Sequence, residues 1–264
     1  MSSSFTSIRL ACFLGALLLC ALVERLFPRR TPVAPSGPRW FANLGLAALG
    51  AACARLLLPL AAAEAAYRAE GLRFGLLNQW SIYYPLKFML SLILLDLLVY
   101  WQHRLFHGPR ALWRLHAVHH TDLDLDSSSG VRFHPVEILL SAAIKIAGAA
   151  LLGAHFIAVA VFEIILNVTA IFSHSNIALP GLLDRALRLV LVTPDMHRIH
   201  HSPSREETDS NFGFALPWWD YLFGTYRPQP REPHESMALG LDGARDPGEL
   251  ELFSLLGRPF KRSA

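Results

Sequence analysis

Apolar residues occur along this chain in long blocks, and polar residues gather between and after them. The blocks cover residues 8–27, 40–63, 82–101 and 136–173. A helix needs about 20 residues to cross a bilayer. The first three blocks each supply one span. The fourth has room for two, turning near Gly153-Ala154-His155. The first block lacks a basic leader and a small-residue cleavage site, so it reads as a retained span and not as a signal peptide.

The segments between the blocks set an orientation. Residues 28–39 carry Arg29, Arg30 and Arg39 with no acid, whereas 64–79 mixes Glu64, Arg68, Glu70 and Arg73. Positive charge stays in the cytoplasm. Counting forward from Arg29 and Arg30, the third span returns to that side and the 136–173 hairpin leaves and re-enters there. Residues 182–192 read as a short amphipathic helix lying in the membrane interface. After residue 228 the chain is polar and proline-rich, a tail expected to cover the cytoplasmic face loosely.

Composition agrees with a membrane protein. Hydrophobic residues make up 53% of the 264, charged residues 17%, and mean hydropathy is +0.34. A net charge of +3 is too small to point to nucleic acid. Cys12, Cys20 and Cys53 lie in apolar runs with no paired spacing, so neither disulfides nor a thiolate metal site is expected.

The candidate chemistry starts in residues 94–120. At ~100° per residue, Tyr100, His103 and His107 each fall within roughly 40° of Asp96, so the four share one helix face. His103 and His107, at i and i+4, can hold one ion. Asp96, two turns deeper, is placed to orient a ligating ring. His116, His119 and His120 form an HxxHH group that His197, His200 and His201 repeat, and His174 closes the fourth block. By the span count all nine lie on one membrane face. So many imidazoles at a boundary are costly unless paired or metal-bound, and nine exceed what one ion uses, so two metals are expected.

Other residues admit two readings. His134 is placed either as a further ligand or as a cap on the next helix. His155, at the hairpin turn, reads as structural, and His234 as a solvated tail residue. Glu163 is an acid inside an apolar run, on the same helix face as His174, and is a functional candidate by its location; its alternative is a hydrogen bond to another span. Asn211 is placed to orient a ligand or contact substrate. Trp218, Trp219, Tyr221, Phe223 and Tyr226 either anchor the interface or line an apolar substrate entrance.

These stretches, with Arg132-Phe133-His134-Pro135-Val136-Glu137, the segments 172–176 and 193–202, Asn211-Phe212-Gly213 and the segment 219–226, resemble the sterol desaturase branch of the fatty acid hydroxylase superfamily. The resemblance covers roughly residues 85–227. It implies a non-haem di-iron oxidoreductase that uses O2 and two external electrons to hydroxylate or desaturate a lipid. The histidines of the three motifs and His174 would hold two Fe ions, which Zn can replace on overexpression. Where the fatty acid hydroxylase branch has a further histidine one turn before His174, this chain has Ala170. Either His134 supplies that ligand or one iron is less fully ligated. Electrons are expected from a separate cytochrome b5- or ferredoxin-like protein.

The expected architecture is an all-α integral membrane protein: four transmembrane helices with a cytoplasmic helical, histidine-rich di-metal cap. Residues 1–81 would form the N-terminal spans, 82–227 the catalytic domain and 228–264 the tail. Two other classes compete. A zinc-dependent membrane hydrolase would want a carboxylate base as in HExxH, which is absent. A histidine-rich metal transporter would string its ligands along a pore, whereas here they collect at helix ends.

Overall fold

The computed structural model describes residues 3–261, which are helical with no strand beyond one isolated bridge. The helices are α1 (Ser3–Leu26), α2 (Ser36–Leu57), α3 (Ala62–Gly71), α4 (Tyr84–His107), α5 (Arg110–His120), α6 (Pro135–Leu152), α7 (Phe156–His174), α8 (Gly181–Leu187), α9 (Pro194–His200), α10 (Arg205–Thr208), α11 (Trp218–Leu222) and α12 (Leu252–Gly257). Five helical segments are long and apolar enough to cross a membrane, one more than the four transmembrane helices expected, because the fourth block forms the two-span hairpin its length allows. The fourth block is broken by Gly153, whose φ of 64° ends α6 in the left-handed cap that glycine adopts without strain. His155 then caps α7 by accepting from Ile157 N, the structural role expected of it.

The second block ends earlier than its hydropathy suggests. Pro59 cannot continue α2, and the chain restarts as α3 where a loop was expected. The alanines of α3 explain this: Ala62, Ala63, Ala65, Ala66 and Ala69 are all buried, and α3 packs against α6 and α7. In a bilayer, packing rather than the hydrophobic effect drives helix association, and small side chains permit close approach.

α7 is the central helix, packed against α1, α3, α4 and α9. α1 shows the lipid-facing pattern: Leu10, Leu14, Leu18, Leu22 and Leu26, spaced by four, are exposed, while Leu17 and Cys20 pack toward Ile171 of α7.

A buried polar knot fastens the spans to the segment between α5 and α6. Arg39 of α2 pairs with Asp122 at 2.6 Å and Asp126 at 2.8 Å. Burial alone would raise the Asp122 carboxyl, but Arg39 and Arg132 hold it well below the usual carboxylate range. Arg132, fully buried, donates to Asn43 Oδ1, Thr121 Oγ1 and Val118 O. Removing one partner of such a buried pair costs roughly 3–5 kcal/mol. At the other edge, Glu24 of α1 accepts from Ser127 and from Asn176 N, beside the bridge between Pro28 and Ile177.

The tail is not a loose cover. Met237 and Leu239 pack on Leu125, and Leu255 packs on Ala42, Leu46 and Val118. Its apolar residues are too sparse to show periodicity, yet several are buried, while Phe253 and Phe260 stay exposed. His234 is buried too, 3.8 Å from Asp195, and not solvated.

Candidate metal centre

Four helices deliver the nine histidines to one place. The buried face of α4 carries Asp96, Tyr100, His103 and His107, the stripe that periodicity predicts. Gly108 and Pro109 then end α4 and start α5, which turns His116, His119 and His120 toward it. Thr193 caps α9 by accepting from Met196 N, fixing the helix that bears His197 and His200, with His201 at its C-terminal cap. His174 comes from the last turn of α7. The nine separate into two groups: His103, His107, His116, His120 and His200; and His119, His174, His197 and His201. Within each group the ligand atoms lie within 4.8 Å of one another, and all nine side chains are buried.

Most rings are held from outside through Nδ1. His103 donates to Phe212 O at 2.8 Å, His200 to Ser210 O at 2.8 Å, His119 to Arg132 O at 3.1 Å and His174 to Ala170 O at 2.7 Å. His116 donates to the Glu137 carboxylate at 2.7 Å, and His107 lies 3.3 Å from Asp209 Oδ1. Since a carbonyl or carboxylate only accepts, these Nδ1 atoms carry the proton and each Nε2 keeps its lone pair.

Those lone pairs point at one another. Nε2 of His103, His107, His116 and His200 is buried with no hydrogen-bond partner. Nε2 of His119 and His174 are 3.0 Å apart, and those of His174 and His197 are 3.1 Å apart. Two bare nitrogen lone pairs at that distance repel unless a cation lies between them. Ligands at right angles around an ion at ~2.1 Å are themselves about 3 Å apart. Five of these rings are held toward the neutral form a ligand needs: burial first, then neighbouring imidazoles, push His119, His120, His197 and His201 well below the ordinary histidine range, and His200 to about 3. An all-imidazole set suits iron, zinc or copper. The residues therefore fit two metal ions, one per group.

The loop 209–212 orients three of the five rings in the larger group, through Asp209 Oδ1, Ser210 O and Phe212 O. Asn211, between the two carbonyls, has a left-handed φ of 51°. Its side chain touches no histidine: Nδ2 donates to Met196 O and Arg227 O, and Oδ1 accepts from Arg227 N. Asp220 clasps the same loop through Phe212 N, Gly213 N and Thr225 Oγ1, and burial pushes its carboxyl up to about 6 against these hydrogen bonds.

Other sequence candidates fall elsewhere. Asp96 orients no ring directly; it accepts from Ala215 N, Leu216 N and Trp219 Nε1, anchoring the strand of chain that follows Phe212. Glu163 pairs with Arg9 of α1 at 2.7 Å, the inter-span alternative, and joins neither histidine group. His134 also lies outside both groups. It caps α6 by accepting from Val136 N, and its Nε2 faces Leu256 O. The smaller group accordingly has four imidazoles, with Ala170 contributing only the carbonyl that takes the His174 proton. Two carboxylates went unrecognised as ring partners, Glu137 and Asp209. Glu137 stands in the first turn of an apolar helix, where an acid is ordinary because of the helix dipole. Only its company with the 132–137 motif hinted at more. Of the aromatic cluster, Trp219 is buried, while Trp218, Tyr221 and Phe223 remain exposed.

Comparison with known proteins agrees with this geometry. The chain is 31% identical over 262 residues to the ornithine lipid hydroxylase OlsE of Rhizobium tropici, covering 95% of this chain and 75% of that one. It is 30% identical over 145 residues to human alkylglycerol monooxygenase, 54% of this chain and 30% of the relative. It is 28% identical over 160 residues to methylsterol monooxygenase 2-2 of Arabidopsis thaliana, 60% of this chain and 59% of the relative. No solved structure matches. Residues 88–225, which hold all nine clustered histidines, match the fatty acid hydroxylase family, and the chain belongs to that family.

Proposed function

We propose that this protein is a membrane-bound, non-haem di-iron lipid oxygenase that uses O2 to oxidise a C–H bond of a lipid. The observation that supports it most is the pair of buried imidazole groups with converging bare Nε2 atoms, at the ends of membrane-type helices. His103, His107, His116, His120 and His200 would hold one iron, and His119, His174, His197 and His201 the other. Iron bound there supplies the O2-activating chemistry that an unactivated C–H bond requires. The chain's own residues position and dry the site. Phe212 and Phe133 pack against the rings, Phe133 stacking on His119 at 4.2 Å. Such walls keep water from the reacting centre.

The overall reaction inserts one oxygen atom into the C–H bond and releases the other as water, consuming two electrons and two protons. A separate one-electron carrier protein supplies the electrons. The relative that matches nearly the whole chain is named for hydroxylating ornithine lipid; an intact acyl membrane lipid of that class is the first substrate to test. Arg29 and Arg30 favour a cytoplasmic metal centre, with residues 82–227 as the catalytic unit. A reporter fused after Tyr226 is expected in the cytoplasm, and one within 64–79 on the other side.

The direct test is metal analysis of detergent-purified protein with O2 uptake and lipid analysis of a deletion strain. Two irons per chain and a lost hydroxylated lipid are expected. A fully active chain holding one tightly bound metal sinks the dinuclear reading.

A further inference from the structure

One aromatic ring links the buried histidines to the surface. Trp113 of α5 is half-buried, with its ring centroid 5.0 Å from that of His107 and 5.3 Å from that of His120. Both histidines belong to the larger group. The surface around this tryptophan is basic. Arg110 lies one turn earlier on α5 and is exposed, and Arg114 is the next residue along. Arg114 donates to the backbone carbonyl of Lys261, which brings a third cation alongside. The helix carries no acidic residue, and neither arginine forms an ion pair among the described residues. Exposed Arg68, Arg205 and Arg231 are matched by carboxylates, whereas exposed Arg25, Arg55 and Arg73 are unpaired as Arg110 and Arg114 are; what sets Arg110 and Arg114 apart is their place beside Trp113.

We infer that the Arg110–Trp113–Arg114 face of α5 is the docking surface for a small acidic one-electron carrier protein, with Trp113 as the route by which electrons enter. This rests on the oxygenase reading above. The unpaired cations steer an acidic partner, since complementary charge raises the encounter rate more than it adds contact energy. Electron tunnelling falls steeply with distance, and an aromatic ring in contact with two ligand rings shortens the gap from the surface to the larger histidine group. Each encounter oxidises one reduced carrier by one electron. Two encounters, one O2 and two protons from solvent balance the conversion of R–H to R–OH and water. Trp113 is left unchanged.

The competing role for Arg110 and Arg114 is a seat on anionic lipid headgroups. Contact of Trp113 with the two histidines is not needed for that role, and neutral bilayers separate the two. Iron-loaded protein in phosphatidylcholine nanodiscs is titrated with a plant-type ferredoxin, an acidic [2Fe–2S] carrier, at low and high salt. The double variant Arg110→Glu/Arg114→Glu is expected to bind it roughly tenfold or more weakly at low salt, with the difference shrinking once the Debye length falls below ~10 Å. Arg68→Glu, on the surface of α3, serves as the charge control and is expected to bind normally. Trp113→Leu is expected to keep iron content and ferredoxin affinity but to lose most of the rate of ferredoxin-driven reduction in stopped flow. Trp113→Phe recovers part of that rate, and dithionite-driven reduction is equal in all variants. Unchanged ferredoxin affinity in the double arginine variant overturns the docking surface. Full reduction rate in Trp113→Leu overturns the route. If fully iron-loaded wild type gives no O2-dependent product with dithionite, the oxygenase reading itself fails, and the binding measurement still decides the surface.

Discussion

His116 donates its Nδ1–H to Glu137 Oε1 across 2.7 Å, with both side chains almost wholly buried. The contact joins α5 to the first turn of α6, so the apolar helix that leaves the centre also aims one of its rings. A carboxylate behind a ligating imidazole fixes its tautomer and raises its basicity, and loss of such a partner typically costs about 10–100-fold in metal affinity or activity. Glu137→Gln keeps the shape and removes the charge. It is expected to insert normally, to lose iron within that range on dialysis against a chelator, and to recover part of its activity in excess Fe(II). Wild-type iron retention would refute this role.

His200 and His134 lie close to the same motifs but differ in role. His200→Ala is expected to abolish activity and to weaken binding of the metal assigned to the larger group, because it removes a lone pair no neighbour replaces and leaves four imidazoles there. His134→Ala is expected to keep both metals and to lose about 1 kcal/mol of stability, the usual cost of a lost helix cap. Iron counting and thermal unfolding of the two variants decide between these roles, and reduced iron content in His134→Ala would return it to the ligand set.

Asp96→Asn has an expected effect that passes through the backbone. Its two oxygens accept from Ala215 N, Leu216 N and Trp219 Nε1. An amide offers one oxygen and presents an N–H group to donors. The chain after Phe212 then loses its anchor, and His103 loses the fixed carbonyl that holds it. Lower thermal stability together with partial iron loss is expected. Iron loss with unchanged stability would instead mean that Asp96 acts on a ring without the loop.

Glu163 and Arg9 are expected to behave as a pair. Glu163→Leu alone leaves Arg9 without its partner and is expected to destabilise, by less than the loss of a fully buried pair because Arg9 is one-third exposed. Arg9→Met with Glu163→Leu is expected to restore most of that loss and to retain full iron content. A double-mutant cycle on unfolding in mild detergent measures the coupling. Additive effects would show that the pair contributes nothing.

Acid is expected to act strongly on the metal-free protein. His200 and its neighbours outside the spans have folded-state values pushed below the ordinary 6.5, His200 to about 3. Below pH 6.5 the unfolded chain binds protons that the folded chain refuses, so stability falls as pH drops from 6.5 toward about 3 and is unaffected above 6.5. Bound metal competes with those protons and flattens the curve. A thermal midpoint for chelated protein that stays constant from pH 7 to pH 5 would contradict this.

Much of the centre was legible without coordinates because it is local. Spans announce themselves by length and apolarity, and HxxxH and HxxHH put rings on one face of a helix through its 3.6-residue period. The sequence alone thus determined the membrane class, the nine metal-binding candidates and the expectation of two ions. Only tertiary structure decided how nine rings divide into five and four, because α5 sends His116 and His120 to one group and His119 to the other. It decided that Glu137 and the 209–212 loop contact the rings, whereas Asp96, Asn211 and His134 meet backbone groups or Trp219 and Glu163 meets Arg9. Those four residues were singled out by chemistry and helix face, and helix phase states which way a side chain points but not what it meets. The carbonyls of Phe212, Ser210 and Arg132 carry no side-chain signature at all. Their direction is set by backbone torsions such as the left-handed φ of Asn211 and by contacts more than a hundred residues apart in the chain, and no local pattern encodes either.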